Sequence, residues 1–321
     1  YLRIIGLQAA PFSQRQNTDF REICLKRYYG LLNTRLFSKG SCTERTSNLK
    51  GGTAINLTVF NLPRLSVDID IDYTPNSSRV DMLTERRKIS EAINIYMEEE
   101  GYTLAANSRF SHSLDAFHFQ YQNSGGNRDM IKIELNYSLQ AHVLEAENRP
   151  IITEAFGESV VLRTVHPIEI FAAKTNALLS RAAARDLYDF NNLVTSGLFK
   201  NQEDLFRKAI IFYATISAET VNRSFDTSAI DNLTFLKIRR DLFPVLTHME
   251  TREHFNLNQY QERTKKYLED LMQVSSKERE YMDRFVSGEY RPELLFDDVS
   301  IVTRIENHPM ALWKCTVNRK K

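Results

Sequence analysis

The stretch that decides the fold is Leu49–Tyr73, LKGGTAINLTVFNLPRLSVDIDIDY. Its last third alternates strictly: Val67, Ile69 and Ile71 interleave with Asp68, Asp70 and Asp72. A period of two is the signature of a strand, whose successive side chains point to opposite faces. The branched residues therefore share one face and the three aspartates the other. The apolar face reads as core. The acidic face needs a reason, because close carboxylates repel and each resists ionisation beside its neighbours. One reason is an edge strand guarded by charge against pairing with other chains. The other is a hard divalent cation, which prefers oxygen ligands and is often held by one or two carboxylates together with substrate phosphates. Upstream, Gly51-Gly52-Thr53 opens a short helical pattern, TAINLTVF, closed by NLP. Glycines let a phosphate approach the backbone, and a helix start offers unpaired N–H groups and partial positive charge. A tight turn explains the glycines equally well. Taken together, turn and strand suit a nucleoside triphosphate chelated with Mg²⁺, or with Mn²⁺ in its place.

Outward from this stretch the chain is an ordinary globular sequence. It has 321 residues, 42% hydrophobic and 26% charged, a length that suits one large domain or two. The net charge of +1 lends no support to nucleic-acid binding through bulk charge, so any such contact needs a local patch. Cys24, Cys42 and Cys315 form no close pair, which suits reduced thiols and a cytoplasmic setting. No stretch approaches the roughly 20 apolar residues of a membrane span, and the opening YLRIIGLQAAPF does not read as a signal peptide. The histidines show no HExxH spacing or Cys/His pairing for zinc, and neither a Walker A sequence nor a GxSxG elbow occurs.

The periodicity predicts helices over Asp19–Leu36 and from Arg79 to a stop at Gly101, and strands in YTLAANSRF, AFHFQYQ, DMIKIELNY and SVVLRTV. NSGGNR between two of these reads as a hairpin turn. After His166-Pro167 the pattern becomes helical and stays so. The expected division is residues 1–166, helices with a sheet, and 167–321, mainly helical. In the second part, FAAKTNALLSRAAARDLYDF places Lys174, Arg181, Arg185 and Asp189 on one face of an unbroken helix, with Asp186 about a quarter turn away. A solvated helix surface, with Arg185 paired to Asp189, accounts for the same spacing.

These residues resemble the nucleotidyltransferase-like toxins of the AbiEii family, related to the mycobacterial MenT toxins. The family pattern is a Gly-Gly-(Thr/Ser) turn followed by Arg-x-Ser-x-Asp-x-Asp, matched here by Gly51, Gly52, Thr53, Arg64, Ser66, Asp68 and Asp70. Asp72 is an additional acid outside the pair. The family also carries Lys, Arg and Arg-Asp-x-x-Asp in a helical segment, matched by Lys174, Arg181, Arg185, Asp186 and Asp189, and the tails SGEYRPELLF and HPMALWK are similar. The resemblance implies an α+β fold: a polymerase-beta-like nucleotidyltransferase mixed sheet with flanking helices, then a helical C-terminal domain carrying the second half of the active site. It implies nucleotidyl transfer from a nucleoside triphosphate to an acceptor hydroxyl such as the 3′ end of tRNA, and a separately encoded antitoxin. Asp68 and Asp70 would hold the metal, with Glu134 on a neighbouring strand as a candidate third ligand. Gly51, Gly52, Thr53, Arg64, Ser66, Arg181 and Arg185 would bind the nucleotide and Lys174 its triphosphate. Asp189 or Asp186 would be the second essential acid, Asp189 being favoured by the shared face. A protein of the same fold that binds GTP without transferring it is the rival expectation.

Overall fold

The computed structural model describes residues 46–66, 68–75, 77–122, 126–152, 161–217, 221 and 223–320. The helix read over Asp19–Leu36, together with Cys24 and Cys42, lies outside the described residues. The alternating stretch forms strand β2 (Asp68–Tyr73), entered from strand β1 (Ser47–Lys50) through helix α1 (Gly51–Thr58). Helix α2 (Arg79–Glu99) follows. Ser78 caps its start by accepting the Asp81 N–H, and Gly101, at φ +81°, ends it. The segment YTLAANSRF yields only two short strands, β3 (Thr103–Leu104) and β4 (Arg109–Phe110), because a turn at Ala106-Asn107 interrupts it. Strands β5 (Leu114–Gln122) and β6 (Arg128–Asn136) form the expected hairpin, and β7 (Glu147–Pro150) and β8 (Val161–Thr164) complete the strands.

Among the described residues the strands make one mixed eight-stranded sheet in the order β3-β5-β6-β2-β1-β8-β7, with β4 beside β5. The acid-bearing strand is therefore central. It runs antiparallel to β1 and parallel to β6, so guarding an edge does not explain its charges. Ile69 and Ile71 are each 1% exposed, and α2 buries Met82, Ile89, Ile93 and Met97 at helical spacing. Burying a side chain of this kind contributes about 1.5–3 kcal/mol, which fixes the strand's facing: a slip of one residue would turn Ile69 and Ile71 out of the core and the aspartates into it.

The C-terminal part is helical: α3 (Pro167–Arg181), α4 (Ala184–Ser196), α5 (Glu203–Ser217), α6 (Phe235–Asp241), α7 (Met249–Glu253), α8 (Leu257–Leu271), α9 (Ser276–Val286), α10 (Val299–Ile305) and α11 (Pro309–Asn318). It is laced to the sheet. The Leu65 N–H donates to Val245 O, Thr247 Oγ1 donates to Leu62 O, and Arg304 donates to Val143 O. The apolar residues of both parts form one continuous core. The helix read as unbroken from Phe171 to Phe190 is divided. Ala182 takes the left-handed conformation (φ 46°), donates its N–H to Leu178 O, and ends α3.

Candidate active site

Register brings the charges together. Lys50 lies directly opposite Asp70 across the β1–β2 ladder, and Glu134 lies opposite Asp70 across the β2–β6 ladder; Asp68 is paired with Lys132. Directly paired residues share a sheet face, so Lys50, Asp68, Asp70, Asp72, Lys132 and Glu134 form one charged patch. Lys132 and Glu134 are 2.8 Å apart. Burial above all pushes Asp70 up to about 6. Lys50 opposes that shift, Asp68 and Glu134 add to it, and Lys132 opposes it again. A further cation beside such a carboxyl favours its charged form.

Gly51 is required here by an actual contact. Its φ is +70°, and a β-carbon would run into the Asp70 carboxylate. A β-carbon on Gly52 would stand 2.9 Å from both Arg64 Nη2 and Ser66 Oγ. The glycine pair thus lets the strand acid and the Arg64–Ser66 segment close on the start of α1. Thr53 is buried, and its hydroxyl donates to Asp68 O at 2.6 Å, tying the helix to the acidic strand. The residue before the helix, Lys50, provides no side-chain cap.

The break at Ala182 places the second group of residues differently from a continuous helix. Lys174, on α3, reaches both acids of α4, with Nζ 2.8 Å from Asp186 Oδ1 and 2.8 Å from Asp189 Oδ2. Asp186 also meets Arg181 at 3.3 Å. Asp189 is fully buried and held bidentately by Arg64, whose Nε donates to Oδ1 at 2.6 Å while Nη2 donates to Oδ2. Burial opposes its charge most, but Arg64 and Lys174 outweigh burial and hold the carboxyl below the usual range. Asp189 and Arg64 are thus a buried pair, and the acid that faces the open cleft is Asp186. Arg185 does not pair with Asp189; it sits half-buried, with its charge felt at Asp241.

The strand face and α3 enclose a cleft of about 220 Å³ lined by Lys50, Gly51, Gly52, Asp70, Lys174 and Asp186, with Arg181 at its rim and Asp72, Glu169 and Tyr213 also in its wall. Asp68, Glu134, Arg64, Thr53, Ser66, Arg185 and Asp189 do not line it. Lys50, His142, Glu169 and Tyr213 were not legible as site residues. Lys50 pairs with the buried Asp72. His142 lies between two acids, Nε2 3.9 Å from Asp72 Oδ2 and Nδ1 3.5 Å from Glu169 Oε2. Glu169 accepts the N–H groups of Val143 and Leu144, each at 2.9 Å, and the Tyr213 hydroxyl at 2.5 Å. The only local signal was the excess third aspartate, which implied a countercharge somewhere.

No group of three or more His, Cys, Asp or Glu side chains poised for a metal ion occurs among the described residues. The donor chemistry nevertheless suits a hard cation. Asp68 and Asp70 supply oxygen only, and Asp68 and Glu134 flank the buried Asp70 with negative charge that a cation would offset. Two carboxylates completed by substrate phosphates is the ordinary Mg²⁺ arrangement.

A family model described as the nucleotidyl transferase AbiEii toxin of type IV toxin–antitoxin systems matches residues 47–287. Among solved structures, the chain is similar to MenT4, a nucleotidyltransferase toxin from Mycobacterium tuberculosis H37Rv. The TM-score is 0.61 at 15% identity, over 92% of this chain and 94% of that one, which shows a common fold. No curated protein sequence matches significantly.

Proposed function

The chain belongs to the AbiEii nucleotidyl transferase toxin family, and from that premise we propose that it carries out Mg²⁺-dependent transfer of a nucleotide to an RNA hydroxyl, at the 3′ end of tRNA, and so blocks translation. Membership makes it a nucleotidyltransferase with a nucleoside triphosphate substrate and a cognate antitoxin. No helix among the described residues is long and apolar enough to cross a membrane, which suits a partner reached in solution.

The observation that carries the reading is the closure of Asp70 on the Gly51 turn, opposite Lys174 and Asp186 across one cleft. Asp68 and Asp70 would hold the metal, with Glu134 beside them. A divalent cation, when bound there, neutralises charge on the reacting phosphates and aligns attack. The acceptor hydroxyl oxygen bonds to the α-phosphorus as its proton passes to solvent, and the bond to pyrophosphate breaks. Lys174 holds phosphate oxygens and the leaving group, with Asp186 fixing its ammonium from the open side and Asp189 from the buried side. Arg181 adds charge at the rim. Arg64, Ser66 and Thr53 shape the turn from behind, and Arg185 acts outside the cleft. The division near Pro167 is proposed as a division of labour: residues before it carry the acids and the turn, residues after it the lysine.

The test incubates the protein with each α-labelled nucleoside triphosphate, Mg²⁺ and total tRNA. Label on tRNA, lost in Asp68→Ala, is the expected result. Nucleotide binding without label on any RNA would overturn the acceptor assignment, and label transfer in excess chelator would overturn the metal.

A further inference from the structure

We propose that Lys50 is a ligand of the substrate's phosphates and that Asp72, the third aspartate of the strand, is the residue that positions it. The inference rests on the nucleotidyltransferase reading of the same cleft and goes beyond it by separating Asp72 from the metal pair.

Lys50 occupies the junction between β1 and α1. Its backbone is extended (φ −138°, ψ −166°), and the next residue turns left-handed. Its side chain therefore follows the sheet face, opposite Asp70, while the helix start begins one residue later. It lines the cleft with Gly51 and Gly52 on the sheet side, and Lys174 lines it from α3. An ammonium has three donors. One is taken by Asp72 Oδ1, and the side chain keeps 24% of its surface exposed. The cleft thus presents two lysines on facing walls, each anchored by acids: Lys174 by Asp186 and Asp189, Lys50 by Asp72.

An anionic ligand that reaches both ammonium groups, as a polyphosphate does, suits these two walls. Asp72 is 1% exposed and takes the Lys50 ammonium on one oxygen, with His142 nearest the other. Both oxygens thus face groups of the protein itself, the Lys50 ammonium and the His142 imidazole. Asp68 and Asp70, in contrast, lie opposite Lys132 and Glu134 across the β2–β6 ladder. The same strand therefore serves two purposes: its first two acids hold charge for a metal, and its third fixes a lysine.

The experiment uses the full chain and a nucleoside triphosphate with a nonhydrolysable α–β bridge, measured by calorimetry, beside KM and kcat for label transfer. Lys50→Gln should weaken the triphosphate about tenfold to a hundredfold, the loss of a charge-assisted contact, and Lys50→Arg should restore most of it. Asp72→Asn should raise KM severalfold while the Mg²⁺ concentration for half-maximal rate stays as in the wild type. Should Lys50→Gln destabilise the fold, the double variant Lys50→Met/Asp72→Asn removes both charges together and is read in the same way. A folded Lys50 variant that binds the triphosphate as tightly as the wild type overturns the proposal, as does a tenfold rise in the Mg²⁺ requirement of Asp72→Asn. If the wild type transfers label and only the Lys50 result fails, the nucleotidyltransferase reading stands. If the wild type neither binds nor transfers, both fall.

Discussion

Asp70 shows what the site costs the fold. Its proton affinity is raised from 3.8 to about 6, with burial as the leading cause. A carboxyl whose folded value lies above its unfolded value binds protons more tightly when folded. Stability on this account is greatest below about 4 and declines as pH rises towards 6, above which the folded protein carries an unfavourable charge. Asp70→Asn removes that charge and keeps the shape. At neutral pH, without added metal, the variant should be about 1–3 kcal/mol more stable than the wild type, as the shift implies, while label transfer is lost. Urea unfolding with and without Mg²⁺ checks this: an Asp70→Asn protein less stable than wild type in chelator would contradict the charge argument. The strand around Asp70 was legible because period-two alternation is local. That the strand is central was not, since β6, which flanks it on the side away from β1, comes from far along the chain.

At the scale of the element, the decisive feature is the break between α3 and α4. Three consecutive alanines, Ala182, Ala183 and Ala184, are the best helix formers, so the sequence holds no local stop signal there. The stop is tertiary. Ending α3 at Ala182 re-aims α4, so that Asp186 and Asp189, which a continuous helix would hold roughly 18–22 Å along its axis from Lys174, both reach that lysine. Ala182 pays in backbone strain for its positive φ (46°). Ala182→Gly relieves that strain while losing a buried methyl, and the net change should lie between neutral and about 1 kcal/mol stabilising. In a continuous helix the same change would destabilise by about 1 kcal/mol, so the sign of the shift in denaturation midpoint decides between them. The two acids of α4 should also part company. Asp189→Asn strands Arg64 in the interior, and breaking such a buried pair costs about 3–5 kcal/mol, so its melting temperature should fall sharply. Asp186→Asn should stay near the wild-type melting temperature and lose transfer activity. Equal melting temperatures for the two variants would refute the separation of structural from cleft-facing acid. Spacing alone brought both acids to attention, but it could not rank them, because the partner of Asp189 lies 125 residues away in Arg64.

Across the whole molecule, the sheet and the helices are joined by buried polar groups as well as by the shared core. Glu169, on α3, closes the chain segment at Val143 and Leu144 through two N–H groups, takes the Tyr213 hydroxyl from α5, and stands beside His142, which in turn stands beside Asp72 of the sheet. For Glu169, burial opposes the charge most, yet His142, Tyr213 and the Leu144 N–H together hold the carboxyl below its ordinary 4.5. For His142, burial also opposes the charge, and its contact with Glu169 and the charges of Glu169 and Asp72 overcome it, raising the ring above 6.5. The signs then set a window. A depressed Glu169 contributes stability that is present above about 4.5 and is lost as pH falls through its folded value. A raised His142 contributes stability that is fully present below about 6.5 and is lost as pH rises through its folded value. The pair therefore supports the junction best between those limits. His142→Gln should narrow the difference in melting temperature between pH 5.5 and pH 8 relative to the wild type. Because the junction spans both parts of the chain, calorimetry should show one transition moving as a unit with pH in the wild type. Two transitions, with only one of them responding to His142→Gln, would mean that the network stabilises one part alone and that the cleft between the parts opens independently of it.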